Sequence, residues 1–226
     1  MSSEEGAAPN GTAPFAVPAE EQVLDLARLE IDNGFRQVDL GIDVIRTFLE
    51  PDRPFALRPS LIQQLQKVAV EGIVPYPGEW RTGPAKITKS NHIPPDAHLV
   101  GYLVQEMCDY VNDNLHEKTA FHLSAYVMWR LNWIHPFPDG NGRTSRMSSY
   151  IVLCTSLKTL LPGSPTIFQQ IQDDRTTYFR ALEYADAAAK AGQIDVSEME
   201  SVLRNMLAKQ LLSVIEQASG GTFGAA

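Results

Sequence analysis

The chain has 226 residues, 44% hydrophobic and 20% charged. That is enough for one globular domain with a sizeable core, and the composition is neither disordered nor collagen-like. Lys+Arg 19 against Asp+Glu 27 gives a net charge of -8, a field that repels phosphate backbones, so no nucleic-acid partner is expected beyond a local basic site. No apolar run reaches the roughly 18 residues that would suggest a membrane span, and two cysteines, Cys108 and Cys154, set in apolar helical contexts, fit a reducing cytoplasm rather than a disulfide scaffold.

In chain order, residues 1–18 are rich in Ser, Glu, Gly, Ala and Pro, with neither a basic start nor an apolar h-region, and are expected to form a disordered tail rather than a targeting signal. Residues 219–226, small and Gly-rich, are expected to fray in the same way. Between them, apolar spacings of three and four predict helices over Ala19–Asn33, Val38–Leu49, Arg58–Val70, Asp96–Asn114, Thr119–Ile134, Gly142–Leu157, Arg175–Ala189 and Val196–Gln217. Pro59-Ser60, Pro95-Asp96 and Asp195 supply start signals for three of them. The stripes Val100, Val104, Met107, Cys108, Val111 and Leu203, Met206, Leu207, Leu211, Val214 read as core faces. Residues 19–75 thus form N-terminal helices, and residues 76–218 form the core. From Tyr76 to Pro95 turn formers sit at both ends and Gly83-Pro84 in the middle, around the alternating Lys86-Ile87-Thr88-Lys89, a pattern that suits a short hairpin or an ordered loop.

The residues that carry chemistry lie in Ile134-His135-Pro136-Phe137-Pro138-Asp139-Gly140-Asn141-Gly142-Arg143-Thr144-Ser145-Arg146. Pro136 disfavours the α conformation at His135, so the preceding helix ends there and leaves the imidazole beside a stiffened turn. Gly140 and Gly142 permit backbone conformations that let successive amides at the next helix N-terminus converge on one anion. Arg143 and Arg146 lie three apart in the first helical turn, where cations are poorly placed for the helix dipole unless an anionic ligand is present. Asp139 suits Mg²⁺, which takes one or two carboxylates and completes its shell with phosphate oxygens and water. Each feature alone has a plainer reading: a turn, a capped helix end, an N-cap, surface ion pairs. Their concurrence in this order within twelve residues points to a phosphate site.

Better-known motifs fail on the same residues. The chain contains no Gly-Lys pair for a Walker loop, Ser145 stands where a Rossmann fingerprint begun at Gly140 needs Gly or Ala, and His116-Glu117 is followed at 120 by Ala120 rather than a zinc-binding His.

The stretch from His135 to Arg146 resembles, at every fixed position, the H-P-F-x-[DE]-G-N-G-R-x-x-R signature of the Fic family, and the resemblance extends over roughly residues 60–215. It implies an all-α fold: a compact Fic-type helical bundle carrying a short β-hairpin flap. It implies a Mg²⁺-dependent transfer of the AMP part of ATP to a Ser, Thr or Tyr hydroxyl of a target protein, with His135 as base and Asp139 as metal ligand. Gly140, Asn141, Gly142, Arg143, Thr144, Ser145 and Arg146 would hold the phosphates. Phe137 would anchor the loop by packing inward. The flap residues Ile87, Thr88 and Lys89 would pair with an extended segment of the target. Tyr178 and Phe179 resemble the family's tyrosine pair, and Asp186 stands where adenylylating members often carry Asn. A carboxylate accepts from an exocyclic amine but cannot donate to a ring nitrogen, which leaves the base open.

Many members restrain themselves with [ST]-x-x-x-E-[GN], whose Glu pairs with the second signature arginine. Glu5-Gly6 is preceded four positions earlier by Met1 and Glu71-Gly72 by Lys67, so neither matches. An antitoxin-like partner, a diverged segment within Glu21–Leu49, or no brake at all remain open, and a homo-oligomer is compatible with the sequence. Transfer of another phosphate-linked group (phosphoryl, phosphocholine or UMP) and nucleotide binding without turnover are the competing readings.

Overall fold

The computed structural model describes residues 20–88 and 90–219. The expected tails lie outside these residues, except that Ser219 closes the last helix, and so does Lys89 of the expected flap.

The elements are α1 (Glu20–Leu49), α2 (Pro59–Val70), a 3₁₀ turn (Ala97–Leu99) running into α3 (Val100–Asp113), α4 (Ala120–Ile134), α5 (Asn141–Ser156), α6 (Ile167–Asp173), α7 (Arg175–Lys190) and α8 (Ser197–Ser219). The class is all-α, and no strand occurs among the described residues. None of these helices is long and apolar enough to cross a membrane.

α4 and α5 form the centre. Every residue of α4 from Leu123 to Trp129 is buried, together with Leu131 and Ile134, and every residue of α5 from Met147 to Thr155. A helix apolar on all sides belongs inside. α5 is not apolar by sequence; its serines let the two backbones approach, and Ser124 Oγ meets Ser149 Oγ at 2.7 Å across the contact. α1 and α2 cover α5, while α3, α7 and α8 flank α4. One core cluster runs through all of them, from Ile45 and Leu65 to Leu203 and Leu207. A half-buried polar clamp ties α3 and α8 to α4: Tyr110 Oη lies 2.9 Å from His122 Nε2, and His122 Nδ1 lies 2.9 Å from Glu200.

Helix starts follow local chemistry. Pro59 occupies the first turn of α2, Thr119 accepts from the His122 amide at α4, and Asp195 accepts from the Ser197 amide at α8.

Three expectations need correction. The helices expected at Ala19–Asn33 and Val38–Leu49 are one continuous α1. Asn33 and Gly34 read as a stop, but Asn33 Nδ2 donates to the Glu71 carbonyl (2.8 Å) and Gln37 Nε2 to the Leu65 carbonyl (3.0 Å), and this packing on α2 outweighs the roughly 1 kcal/mol cost of a helical glycine. The Tyr76–Pro95 segment is an ordered loop and not a ladder among its described residues: Ser90 N–H donates to Ile87 O (3.3 Å), a turn where pairing was expected. α6 was missed, although Thr166 and Gln169 form a capping box whose Ser/Thr-x-x-Glu/Gln pattern is written in the sequence.

Candidate active site

The site begins where α4 ends. His135 has φ 50 and ψ 58, left-handed for a non-glycine residue, while its amide still donates to the Leu131 carbonyl at 2.9 Å. Pro136 excludes the helical alternative, and the left-handed turn swings the imidazole out of the helical path. Strain of this kind persists where surrounding structure enforces it. Burial is the main force holding the His135 pKa below the ordinary histidine value; nearby Arg81 and His92 act in the same direction, against the Asn132 backbone and Asp139. Its Nδ1 is buried with no full hydrogen bond. The imidazole is therefore neutral near pH 7 and able to take a proton.

The following loop is closed by its own side chains. Asn141 Oδ1 accepts from the Phe137 amide (2.9 Å) and Asn141 Nδ2 donates to the Phe137 carbonyl (2.8 Å). Phe137 is fully buried, with its ring 4.7 Å from that of Trp80, as the anchor reading expects. Asp139 Oδ1 accepts from the Gly140 amide at 2.6 Å, and the Asp139 carbonyl accepts from buried Gln66 at 3.0 Å. Gly140 has φ 79, and a Cβ there would lie 2.7 Å from Val70 Cγ1, so both conformation and space require glycine. The loop delivers the chain into α5, whose first-turn amides have no intrahelical acceptors and face outward with the positive end of the helix dipole.

The signature residues divide by role. Asn141, Thr144 and Ser145 are buried. The Asn141 amide is committed to the loop, and Ser145 Oγ accepts from Asn132 Nδ2 (2.8 Å) and donates to the Gly142 carbonyl (3.1 Å). Their side chains support the cradle from behind. Arg143 is held by protein groups: its Nη1 donates to the Ala69 carbonyl at 2.9 Å, and its Nη2 lies 3.5 Å from Asp139 and 3.9 Å from Glu30. Arg146 points the other way, toward the Tyr178 phenol, and no carboxylate lies within ion-pair distance of it among the described residues. Burial lowers its pKa, with Tyr178 pulling the other way; a guanidinium remains charged regardless.

Arg146 lines a cleft of about 200 Å³ with Gly142, Asn132, Ile171, Gln172, Arg175, Tyr178 and Phe179. Tyr178 lies beneath, its hydroxyl accepting from Asn132 Nδ2 at 2.9 Å, and burial raises its pKa. Phe179 is half exposed at the wall. Arg175, which the sequence reading did not single out, adds a second cation at the start of α7, where the dipole disfavours it. Asp186 is not among the lining residues: its Oδ1 accepts from the Trp129 indole at 2.8 Å.

The flap loop passes over the end of α4. Ile87 is half buried and Thr88 exposed. Its root is fixed by Arg81 and by His92, whose Nε2 meets the Trp133 carbonyl at 2.8 Å. Gln66 also ties this region to the loop between α4 and α5, accepting from the Gly78 amide at 2.6 Å while donating to the Asp139 carbonyl.

Fold and loop together define a helical domain in which a buried, neutral histidine at the end of α4 is followed, near the start of α5, by Arg146, which has no carboxylate within ion-pair distance among the described residues. Residues 56–153 match the model of the Fic/DOC family. Over 110 residues, 48% of this chain, it is 29% identical to Protein adenylyltransferase Fic of Drosophila willistoni, and over 112 residues, again 48%, it is 30% identical to that of Drosophila persimilis. The matched part is 20% of each relative's length, so the chain spans about a fifth of these proteins. Among solved structures, a Fic domain-containing signaling protein from Bacteroides thetaiotaomicron superposes with TM-score 0.66 at 18% identity, over 85% of this chain and 74% of that one. Fic-1 from C. elegans superposes with TM-score 0.62 at 16% identity, over 85% and 52%. These likenesses establish the fold.

Proposed function

We propose that the protein is a Mg²⁺-dependent protein adenylyltransferase, transferring AMP from ATP to a Ser, Thr or Tyr hydroxyl of a protein target in the cytoplasm. The observation that carries this reading is His135, kept neutral by burial at the exit of α4 and joined by one short loop to α5, whose Arg146 lines a cleft and has no carboxylate partner among the described residues. The adenylyltransferase relatives supply the class of chemistry, and the buried Cys108 and Cys154, unpaired, fit a reducing compartment.

In this reading the target hydroxyl gives its proton to His135 as its oxygen attacks the α-phosphorus. The bond to the β-phosphate oxygen breaks, and pyrophosphate leaves with the electron pair. Arg146, Arg175 and the first-turn amides of α5 stabilise the charge that builds on the phosphates. Asp139 fits a metal held chiefly by substrate: about half its side chain is exposed, with Oδ2 only loosely engaged by Arg143 at 3.5 Å. Bound Mg²⁺ would neutralise charge on the phosphates. The flap would align the target's extended segment, and a partner protein is one source of an inhibitory Glu.

One observation favours a second reading, transfer of another phosphate-linked group from the same cleft. Asp186, the residue expected at the base, is engaged by Trp129. Incubation of the chain and a lysate with ATP labelled at the α-phosphate, with and without chelator, tests both readings. Label on protein that disappears with chelation and adds the mass of AMP supports the proposal. Protein that carries no label but gains the mass of a phosphoryl, phosphocholine or UMP group, with the corresponding unlabelled donor added, selects the second reading, and protein with neither label nor mass gain rejects both.

A further inference from the structure

Arg81 is the one charged residue that is buried among the described residues, with 5% of its surface exposed. Everything its guanidinium reaches is a backbone carbonyl. Nε donates to His135 O at 2.8 Å, Nη1 to Gly83 O at 2.8 Å, and Nη2 to Pro95 O and, at 3.3 Å, to Ile134 O. Its own amide donates to Pro136 O at 2.9 Å. Gly83 lies within the flap segment and Pro95 at its far end; Ile134, His135 and Pro136 are the residues through which α4 stops and the following loop starts.

These acceptors are groups that a helix end and an irregular loop leave without partners. The last carbonyls of α4 have no intrahelical donor, and the flap has no ladder to satisfy its own. A planar guanidinium with donors fixed in a fork can meet carbonyls from both at once; an ammonium presents one point of charge and cannot span them. The sequence alternative for His135 is ordinary helix or extended chain, so something must hold its left-handed conformation.

We propose that Arg81 is the positioning residue of this site: by bonding the flap at Gly83 and at Pro95 and the terminal carbonyls of α4 at once, it sets the His135 backbone and couples flap order to the geometry of the base. It touches neither nucleotide nor target, and acts through His135. Its charge also helps to hold the His135 imidazole neutral, while nearby Asp96 acts to keep Arg81 itself protonated against burial. The inference rests on the reading of His135 as the base, but the arrangement can be tested without any turnover.

The experiment uses the full chain in three forms: wild type, Arg81→Lys, which keeps the charge and loses the fork, and Arg81→Met, which loses both. The His135 imidazole is titrated by NMR, amide exchange is followed across residues 81–95 and 135–139, and transfer kinetics are recorded where the wild type has activity. In both variants the flap and the loop are expected to lose protection together while α4 and α5 keep theirs. The His135 pKa is expected to rise in Arg81→Met, moving the acid limb of transfer to higher pH, and to stay near wild type in Arg81→Lys. The kcat is expected to fall by up to about 10²-fold in both, with nucleotide affinity unchanged, because the fork is missing from both. Exposure of the flap alone, with the loop still protected and the His135 titration unmoved in either variant, would overturn the proposal. So would a Lys variant that retains full kcat. Failure of both variants to fold would also overturn it, since it would give Arg81 a general structural role. A wild type with no transferase activity would sink the functional reading, and the titration and exchange would still decide this one.

Discussion

The loop from His135 to Gly140 and the much longer flap from Tyr76 to Pro95 are both irregular segments, and they are ordered in opposite ways. Between the points where Arg81 and Gln66 grip its backbone, the loop closes locally: Asn141 on Phe137 four residues away, and Asp139 on the next amide. In the flap they are remote: Arg81 reaches Ile134 and His135 more than fifty residues along the chain, and His92 reaches Trp133 forty-one along. A locally closed segment carries its geometry in its own sequence and can be recognised there. A segment held from outside takes its geometry from its hosts, and its composition says only that it is not a helix.

The largest effect should come from removing the one group that the locally closed loop presents for chemistry. His135→Ala is expected to lower transfer by about 10² to 10⁴, the usual worth of a general base, with nucleotide affinity nearly unchanged because Arg146, Arg175 and the α5 amides remain. Isothermal titration with a non-hydrolysable ATP analogue, beside the rate assay, separates the two. Transfer near the wild-type rate would remove His135 as the base.

What was legible in the sequence follows the same division. Periodicity placed α2, α4, α5 and α7 to within a few residues, because each buries an apolar or small-residue face whose spacing is local. The loop from His135 to Arg146 was legible because Pro136, Gly140 and Asn141 each satisfy a nearby backbone need. The continuity of α1 was not legible, since Asn33 and Gly34 look like a stop until Glu71 and Leu65 offer acceptors from α2. Nor was the split between Arg143 and Arg146. Spacing puts them on one face of the first turn, but α2 claims one and α7 faces the other. Arg81 had no signal at all, because an isolated arginine beside a turn is ordinarily a surface residue.

A middle-sized effect compares the two segments directly. Asn141→Ala would leave both the amide and the carbonyl of buried Phe137 without partners, an expected loss of about 1–3 kcal/mol. His92→Ala removes one contact at a half-buried position and should cost no more than about 1 kcal/mol, the ordinary net worth of one hydrogen bond. Urea unfolding of both variants measures the difference. Equal losses would mean that the flap is as integral to the fold as the loop, and the contrast between local and borrowed order would fail.

The smallest effect is expected at Glu71, the residue whose Glu-Gly sequence looks most like a self-imposed brake. A brake must reach Arg146, where its carboxylate would compete with the nucleotide's terminal phosphate. Glu71 instead ends α2 ahead of Gly72, which has φ 73, and its carboxylate is 2.7 Å from Arg36 of α1. Both partners are about half exposed, so the pair contributes no more than about 1 kcal/mol. Glu71→Gly should therefore leave transfer within about twofold of wild type, while the midpoint of thermal unfolding falls by only a few degrees. Glu30→Gly, which removes the carboxylate 3.9 Å from Arg143, should likewise release no hidden activity, since Arg143 stays bonded to the Ala69 carbonyl and Asp139. Glu50 is engaged by Arg53 at 3.1 Å. A tenfold or greater gain on Glu71→Gly would show that α2 rearranges to bring this carboxylate to Arg146, and the static separation of the two groups would then be the wrong guide to regulation. A gain confined to Glu30→Gly would place the brake on α1 acting through the first signature arginine instead of the second.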